Sequence, residues 1–145
     1  MGKRTTFAGY IRQRGMGNPS GNGKGSPATF KAHVTVTFDP TQVLAGTGVY
    51  LPAGAIPVGV TGLGGGTGGA SPTVDLSLAG GAAGGLVNEL AADAATAEVV
   101  TGAELLAALT ADTEIEAGVG ASAATGGTFT ALVSYLIADD GKIND

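Results

Sequence analysis

Between Leu109 and Ile137 the chain carries two runs in which large apolar residues alternate with small or polar ones. In the first, Thr113, Ile115, Ala117 and Val119 fall on one side and Glu114, Glu116 and Gly118 on the other. In the second, Phe129, Ala131, Val133, Tyr135 and Ile137 alternate with Thr128, Thr130 and Ser134. A period of two marks strands with one face on a core. The Gly120–Gly127 link holds no large side chain and can turn the chain back without packing, so the two runs are expected to form an antiparallel hairpin. Leu132 and Leu136 on the other face of the second run predict that it is covered on both sides for part of its length, as a central strand is.

The same period recurs upstream. Ala32, Val34, Val36 and Phe38 alternate with His33, Thr35 and Thr37, and Asp39-Pro40 ends that strand, since proline removes a ladder donor. Val43–Tyr50 is broken by glycines and predicts an edge segment. Leu51–Gly54 reads as a turn, and Ala55–Leu63 as a strand with Ile56, Val58 and Val60 inward; Pro57 implies that one side of it lacks a partner nearby. Residues 64–72 read as loop, Thr73–Leu78 as a strand with Val74, Leu76 and Leu78 inward, and Gly80–Gly85 as loop. Leu86, Val87 and Leu90 recur at helical spacing, which makes Leu86–Thr96 the one helix candidate. Ala97–Thr101 predicts a further strand, and Leu105–Leu109 fits a strand or a helical turn equally. Six to eight short strands with turn signals between them predict an all-β fold: a two-sheet antiparallel sandwich of jelly-roll type, with at most one short helix.

Charge divides the chain in two. Residues 1–31 hold Lys3, Arg4, Arg12, Arg14, Lys24 and Lys31 and no acid, whereas residues 32–145 hold one Lys and all twelve acids, so a segment of +6 precedes one of −11 and the chain nets −5. Gly, Asn, Ser and Pro dominate Gly15–Pro27, a composition that does not fold alone. Residues 1–31 are therefore expected to be a basic, extended arm and residues 32–145 the sandwich body. Phe7, Tyr10 and Ile11 lie among the charges as apolar anchors, which gives the arm a partner-binding set: Lys3, Arg4, Phe7, Tyr10, Ile11, Arg12, Arg14, Lys24 and Lys31. With 27 glycines and only 33 Val, Ile, Leu and Phe residues the core is thin, which predicts that apolar surface is also buried between copies, most simply in a homotrimer.

Little reactive chemistry is on offer. Without cysteine there is no disulfide, thiolate nucleophile or Cys-rich zinc site. Gly23-Lys24 fails the phosphate-loop pattern, because Asn18 stands where its first glycine belongs and Gly25 where it needs Ser or Thr. Asp112, Glu114 and Glu116, spaced by two, could hold a cation or act as acid and base; the plainer reading is a solvated strand face that opposes edge-to-edge pairing. His33 has no second histidine to form a metal pair. No enzyme, cofactor or metal is expected, and the basic start leads into no apolar run of signal-peptide or membrane-spanning length, so a soluble protein is expected.

Four segments carry a resemblance: Leu51-Pro52-Ala53-Gly54 before a strand, Pro72-Thr73-Val74-Asp75-Leu76, the acidic Thr110–Glu114, and the Thr-rich Thr128–Tyr135. Over about 90 residues their order resembles the small glycine- and alanine-rich head proteins of tailed bacteriophages, the decoration (cement) and head-fibre components. The resemblance implies a jelly-roll protein on the capsid exterior, made in the cytoplasm of a bacterial host. Its partners would be the major capsid protein and its own copies, commonly as trimers, with no small-molecule substrate, nucleic acid or membrane. The alternative within the same resemblance is a head-fibre, neck or tail component that binds carbohydrate or a receptor, for which the absence of Trp and only three Tyr are poor equipment. The basic arm has no counterpart in the family pattern.

Overall fold

The computed structural model describes residues 29–138. Within them the alternating runs become eight strands: β1 (Thr29–Phe38), β2 (Ala45–Leu51), β3 (Ile56–Thr67), β4 (Thr73–Leu78), β5 (Val87–Ala91), β6 (Thr96–Val99), β7 (Thr113–Val119) and β8 (Gly126–Ala138). They form two four-stranded sheets, ordered β1-β8-β3-β6 and β2-β7-β4-β5. The first strand thus pairs with the last, the second with the seventh, the third with the sixth and the fourth with the fifth. The pairs β8·β3 and β7·β4 then knit the wound ribbon into two sheets. This is the eight-stranded jelly roll, as the pattern predicted.

The core lies between the sheets, where the inward-facing stripes meet. Val36 and Phe38 on β1, Val60 on β3, and Phe129, Ala131 and Val133 on β8 face Leu51, Val74, Leu76, Ile115 and Ala117 of the other sheet, all buried. The Phe38 and Phe129 rings sit 5.4 Å apart, tilted at 52°. Each large side chain removed from water contributes about 1.5–3 kcal/mol. β8 lies between β1 and β3, the central position expected of it, and β2 is an edge strand. β4 alternates without fault, with Val74, Leu76 and Leu78 inward. The Leu51–Gly54 turn closes with a bond from the Ala55 amide to the Pro52 carbonyl and carries the chain from one sheet to the other. Near Pro57 the β6 ladder is absent, since β6 reaches only Val60 and Gly62, and the Pro57 carbonyl accepts the Leu106 amide instead.

Several expectations are overturned. β7 and β8 do not form a hairpin; they belong to opposite sheets. Their link is pinned across the gap by bonds from the Gly120 amide to Thr73 O and from the Thr125 amide to Thr67 O, each 2.8 Å. Alternation dictates which face of a strand is apolar and says nothing about which strand lies beside it. Leu86–Thr96 is not a helix: no helix occurs among the described residues, and hence none long and apolar enough to cross a membrane. The spacing that suggested a helix comes from a bulge. β4 advances two residues from Val74 to Leu76 while β5 runs three, from Leu90 back to Val87, and Glu89 takes the left-handed conformation, φ 57°. One extra residue puts the two inward side chains three apart. Leu105–Leu109 forms neither strand nor helix: Leu105 and Leu106 end a turn that spans residues 103–106, and the Leu106 and Leu109 amides donate to the Pro57 and Ala55 carbonyls.

β3 also departs from its pattern, continuing through the expected loop as far as Thr67. Gly64 and Gly65, at φ 79° and 121°, carry it through bulges opposite Thr130 and Gly127, and a side chain on Gly65 would collide with the Thr128 carbonyl. At the other end a register shift between Pro57 and Gly59 reverses the alternation. Pro57 and Val60 are buried there, and Ile56 and Val58 are only half-buried.

Candidate assembly surface

Eight of the nine predicted arm residues, Lys3, Arg4, Phe7, Tyr10, Ile11, Arg12, Arg14 and Lys24, lie outside the described residues. The ninth, Lys31, stands on β1 with His33, Thr35 and Thr37, on the outer face of the β1-β8-β3-β6 sheet. Alternation puts those four side chains on one face. The β8 partners are fixed by two contacts, His33 Nδ1 to Ser134 Oγ at 2.9 Å and Thr37 Oγ1 to Thr130 Oγ1 at 3.5 Å. These set an antiparallel register.

A polar row crosses this face through all four strands. Glu98 on β6 lies over Gly59 of β3, where a side chain of any size would meet the Glu98 Cγ at 2.6 Å. From there its Oε1 accepts a hydrogen bond from the Lys31 ammonium at 3.1 Å. The Lys31 ammonium, and after it the Ser134 hydroxyl, hold the Glu98 carboxyl below the usual carboxylate range. Of these two neighbours only Lys31 is hydrogen-bonded to Glu98; the Ser134 hydroxyl is engaged with His33, and Glu98 Oε2 is buried without a hydrogen-bond partner among the described residues.

A histidine beside a serine invites a nucleophilic reading, which the geometry does not support. In a Ser-His-acid triad the acid orients the imidazole from its far nitrogen, whereas Glu98 makes no hydrogen bond to His33 and stands beside the serine. Ser134 is 1% exposed, out of reach of a substrate. The row braces four strands. Sequence reasoning missed Glu98 and Ser134; the outward parity of both was readable, but the pairing that brings them together was not.

On the opposite sheet two of the three spaced acids have separate structural duties. Asp112 Oδ1 accepts the Ala53 amide at 2.9 Å and caps the Leu51–Gly54 turn. Glu114 reaches over Gly46 to accept the Gly48 amide at 2.8 Å and the Tyr50 hydroxyl at 3.4 Å, tying β2 to β7. Glu116 lies between Gly46 and Ser77 in the ladder. β7 is an interior strand, so these acids do not guard an edge, contrary to the expectation. No group of acids and histidines among the described residues has the geometry of a metal site. A fourth acid that the sequence did not single out, Glu104, accepts the Leu78 and Ala82 amides at 3.1 and 2.7 Å and fastens the β6–β7 loop over the β4–β5 turn. With Asp75 on β4 and Glu89 on β5, the outer face of this sheet gathers carboxylates, while Lys31, the one described lysine, is on the other.

Large apolar side chains also reach solvent. Phe30 is 58% exposed and Ile137 40%; both continue inward stripes past the end of the sandwich, and the β1–β8 register sets them side by side. Leu106 is 74% exposed on a left-handed backbone of φ 69°, a conformation that costs a non-glycine residue about 1–2 kcal/mol.

The sequence matches no protein-family model, and no curated protein matches it. Among solved structures the chain is similar to one in the Cyanophage Pam1 capsid asymmetric unit, at 20% identity and a TM-score of 0.49, with 93% of this chain and 99% of that one covered.

Proposed function

We propose that this chain is a structural protein of a tailed-phage virion that binds the outside of the capsid and stabilises it by bridging neighbouring capsid subunits. The observation that carries the reading is the position of the four segments that resemble phage head proteins. Leu51–Gly54 is the turn between the sheets, Pro72–Leu76 builds β4, Thr110–Glu114 leads into β7, and Thr128–Tyr135 is the middle of β8. All four are parts of one jelly-roll framework, and the acids within them serve as acceptors for their own backbone. In this reading the body sits on the shell, and the arm, residues 1–31, is the attachment. Its six cations seek acidic patches on the capsid lattice or on a neighbouring copy, and Phe7, Tyr10 and Ile11 supply apolar anchorage. Its own copies are partners as well, in a trimer.

The test is thermal. A protein that binds only the assembled shell stabilises it by mass action, so particles stripped of this protein should rupture at a lower temperature than decorated ones, and adding it back should restore the difference. Equal heat resistance would turn the assignment towards the fibre or receptor-binding alternative. Deleting residues 2–27 should weaken attachment. Charge attraction is screened within about 8 Å at physiological ionic strength, so changing Arg12 and Arg14 together to Ala should matter mainly at low salt.

A further inference from the structure

The four sheet edges are not equally protected. β6 is four residues long, β5 is five with a bulge at Glu89, and β2 is seven with two glycines and a register shift between Gly46 and Tyr50. Shortness, bulges and glycines blunt an edge against further pairing. β1 has none of these. It is ten residues long, TFKAHVTVTF, without Gly or Pro, rich in β-formers, and its exposure alternates without a break from Lys31 to Phe38. Among the described residues β8 is its only strand neighbour.

We propose that the β1 edge is an interaction surface, and that its occupant is β1 of a second copy, antiparallel across a two-fold axis at Val34. The strand's own sequence argues for this partner. In a continuous sheet, outward residues must face outward ones, which restricts a two-fold pairing to registers that oppose residues of the same parity. Centring on His33 would set two imidazoles against each other, and centring on Thr35 would leave Phe30 outside the ladder. Centring on Val34 pairs Lys31 with Thr37, His33 with Thr35 and Ala32 with Val36. It also brings the exposed Phe30 against Phe38 of the other copy, so no like charges meet and an apolar ring is covered. This inference does not depend on the capsid reading. If the protein also forms a trimer through another surface, the β1 contact joins one trimer to the next.

The chain has no cysteine, so single substitutions report the register in the full-length protein. Val34→Cys should give an oxidised dimer faster than His33→Cys or Thr35→Cys, because only directly opposed residues bring their Cβ atoms within about 5 Å. Thr37 is exposed, and charges there provide a second readout that leaves the core alone. Thr37→Lys sets two like-charge pairs against Lys31 across the axis and should weaken dimerisation in sedimentation roughly three- to thirtyfold; Thr37→Glu should strengthen it. Hydrogen exchange of the β1 amides should slow as concentration rises. A monomer at all concentrations, equal effects of Thr37→Lys and Thr37→Glu, or fastest cross-linking at 33 or 35 would each overturn the proposal. So would β1 protection independent of concentration, which would mean that another segment of the same chain covers the edge.

Discussion

Glycine at position 59 is what allows the polar row. A methyl group there would stand 2.6 Å from Glu98 Cγ, and since the obstacle is a flexible side chain, Glu98 would swing away rather than the strand move. Gly59→Ala should therefore sever the Lys31 bond at a cost of under about 1 kcal/mol, the usual worth of a partly exposed ion pair. Glu98→Gln should cost about the same, and the double variant little more than either, because both remove one interaction. Urea midpoints at unchanged slope would measure this. The sign of the pH effect follows from the direction of the shift. The folded-state pKa of Glu98 lies below its ordinary 4.5, so the carboxylate's contribution is complete above that value and is lost as pH falls through the lower, folded-state one. Between about pH 5 and 3 the unaltered protein should lose more stability than Glu98→Gln does.

At the level of strands, the bulges carry the sharpest expectations. Gly65→Ala forces a side chain into a φ of 121° and against the Thr128 carbonyl; it should cost about 2–4 kcal/mol, read as a lowered melting temperature. Glu89→Gly should do the reverse, stabilising by up to about 1 kcal/mol, because glycine occupies the left-handed region without the Cβ penalty that Glu89 bears at φ 57°. These positions also explain how far the fold was legible. β4 and β8 could be read directly because nothing interrupts their alternation. β5 could not: one inserted residue turns a period of two into a spacing of three, which imitates a helix. The end of β3 was invisible for another reason, since Gly64-Gly65-Gly66 has no side chains to alternate and owes its strand geometry to β8. Strand partners, and with them the Lys31–Glu98–Ser134 row, were beyond reach because His33 and Ser134 are 101 positions apart in sequence and meet only once the ribbon is wound. The acids at 112, 114 and 116 were visible as a set, but the separate backbone amides that Asp112 and Glu114 accept were not.

For the whole molecule, far-UV circular dichroism should show a β spectrum; a helical fraction above about a third would contradict the sandwich. The winding order has a further consequence, which concerns time. β8 is the last of the described strands in sequence, yet it is an inner strand of its sheet, with β1 on one side and β3 on the other. A growing chain that has emerged only as far as β7 can assemble much of the second sheet, while β1 and β3 wait across an empty slot with their hydrogen-bonding groups unsatisfied. Folding of this sheet therefore cannot finish until β8 has left the ribosome. Because the pairings join distant parts of the chain, refolding belongs to the slow regime of milliseconds to seconds. During that wait the waiting edges are open to other chains, which makes β8 the strand whose delay or truncation would most readily divert the protein into aggregates.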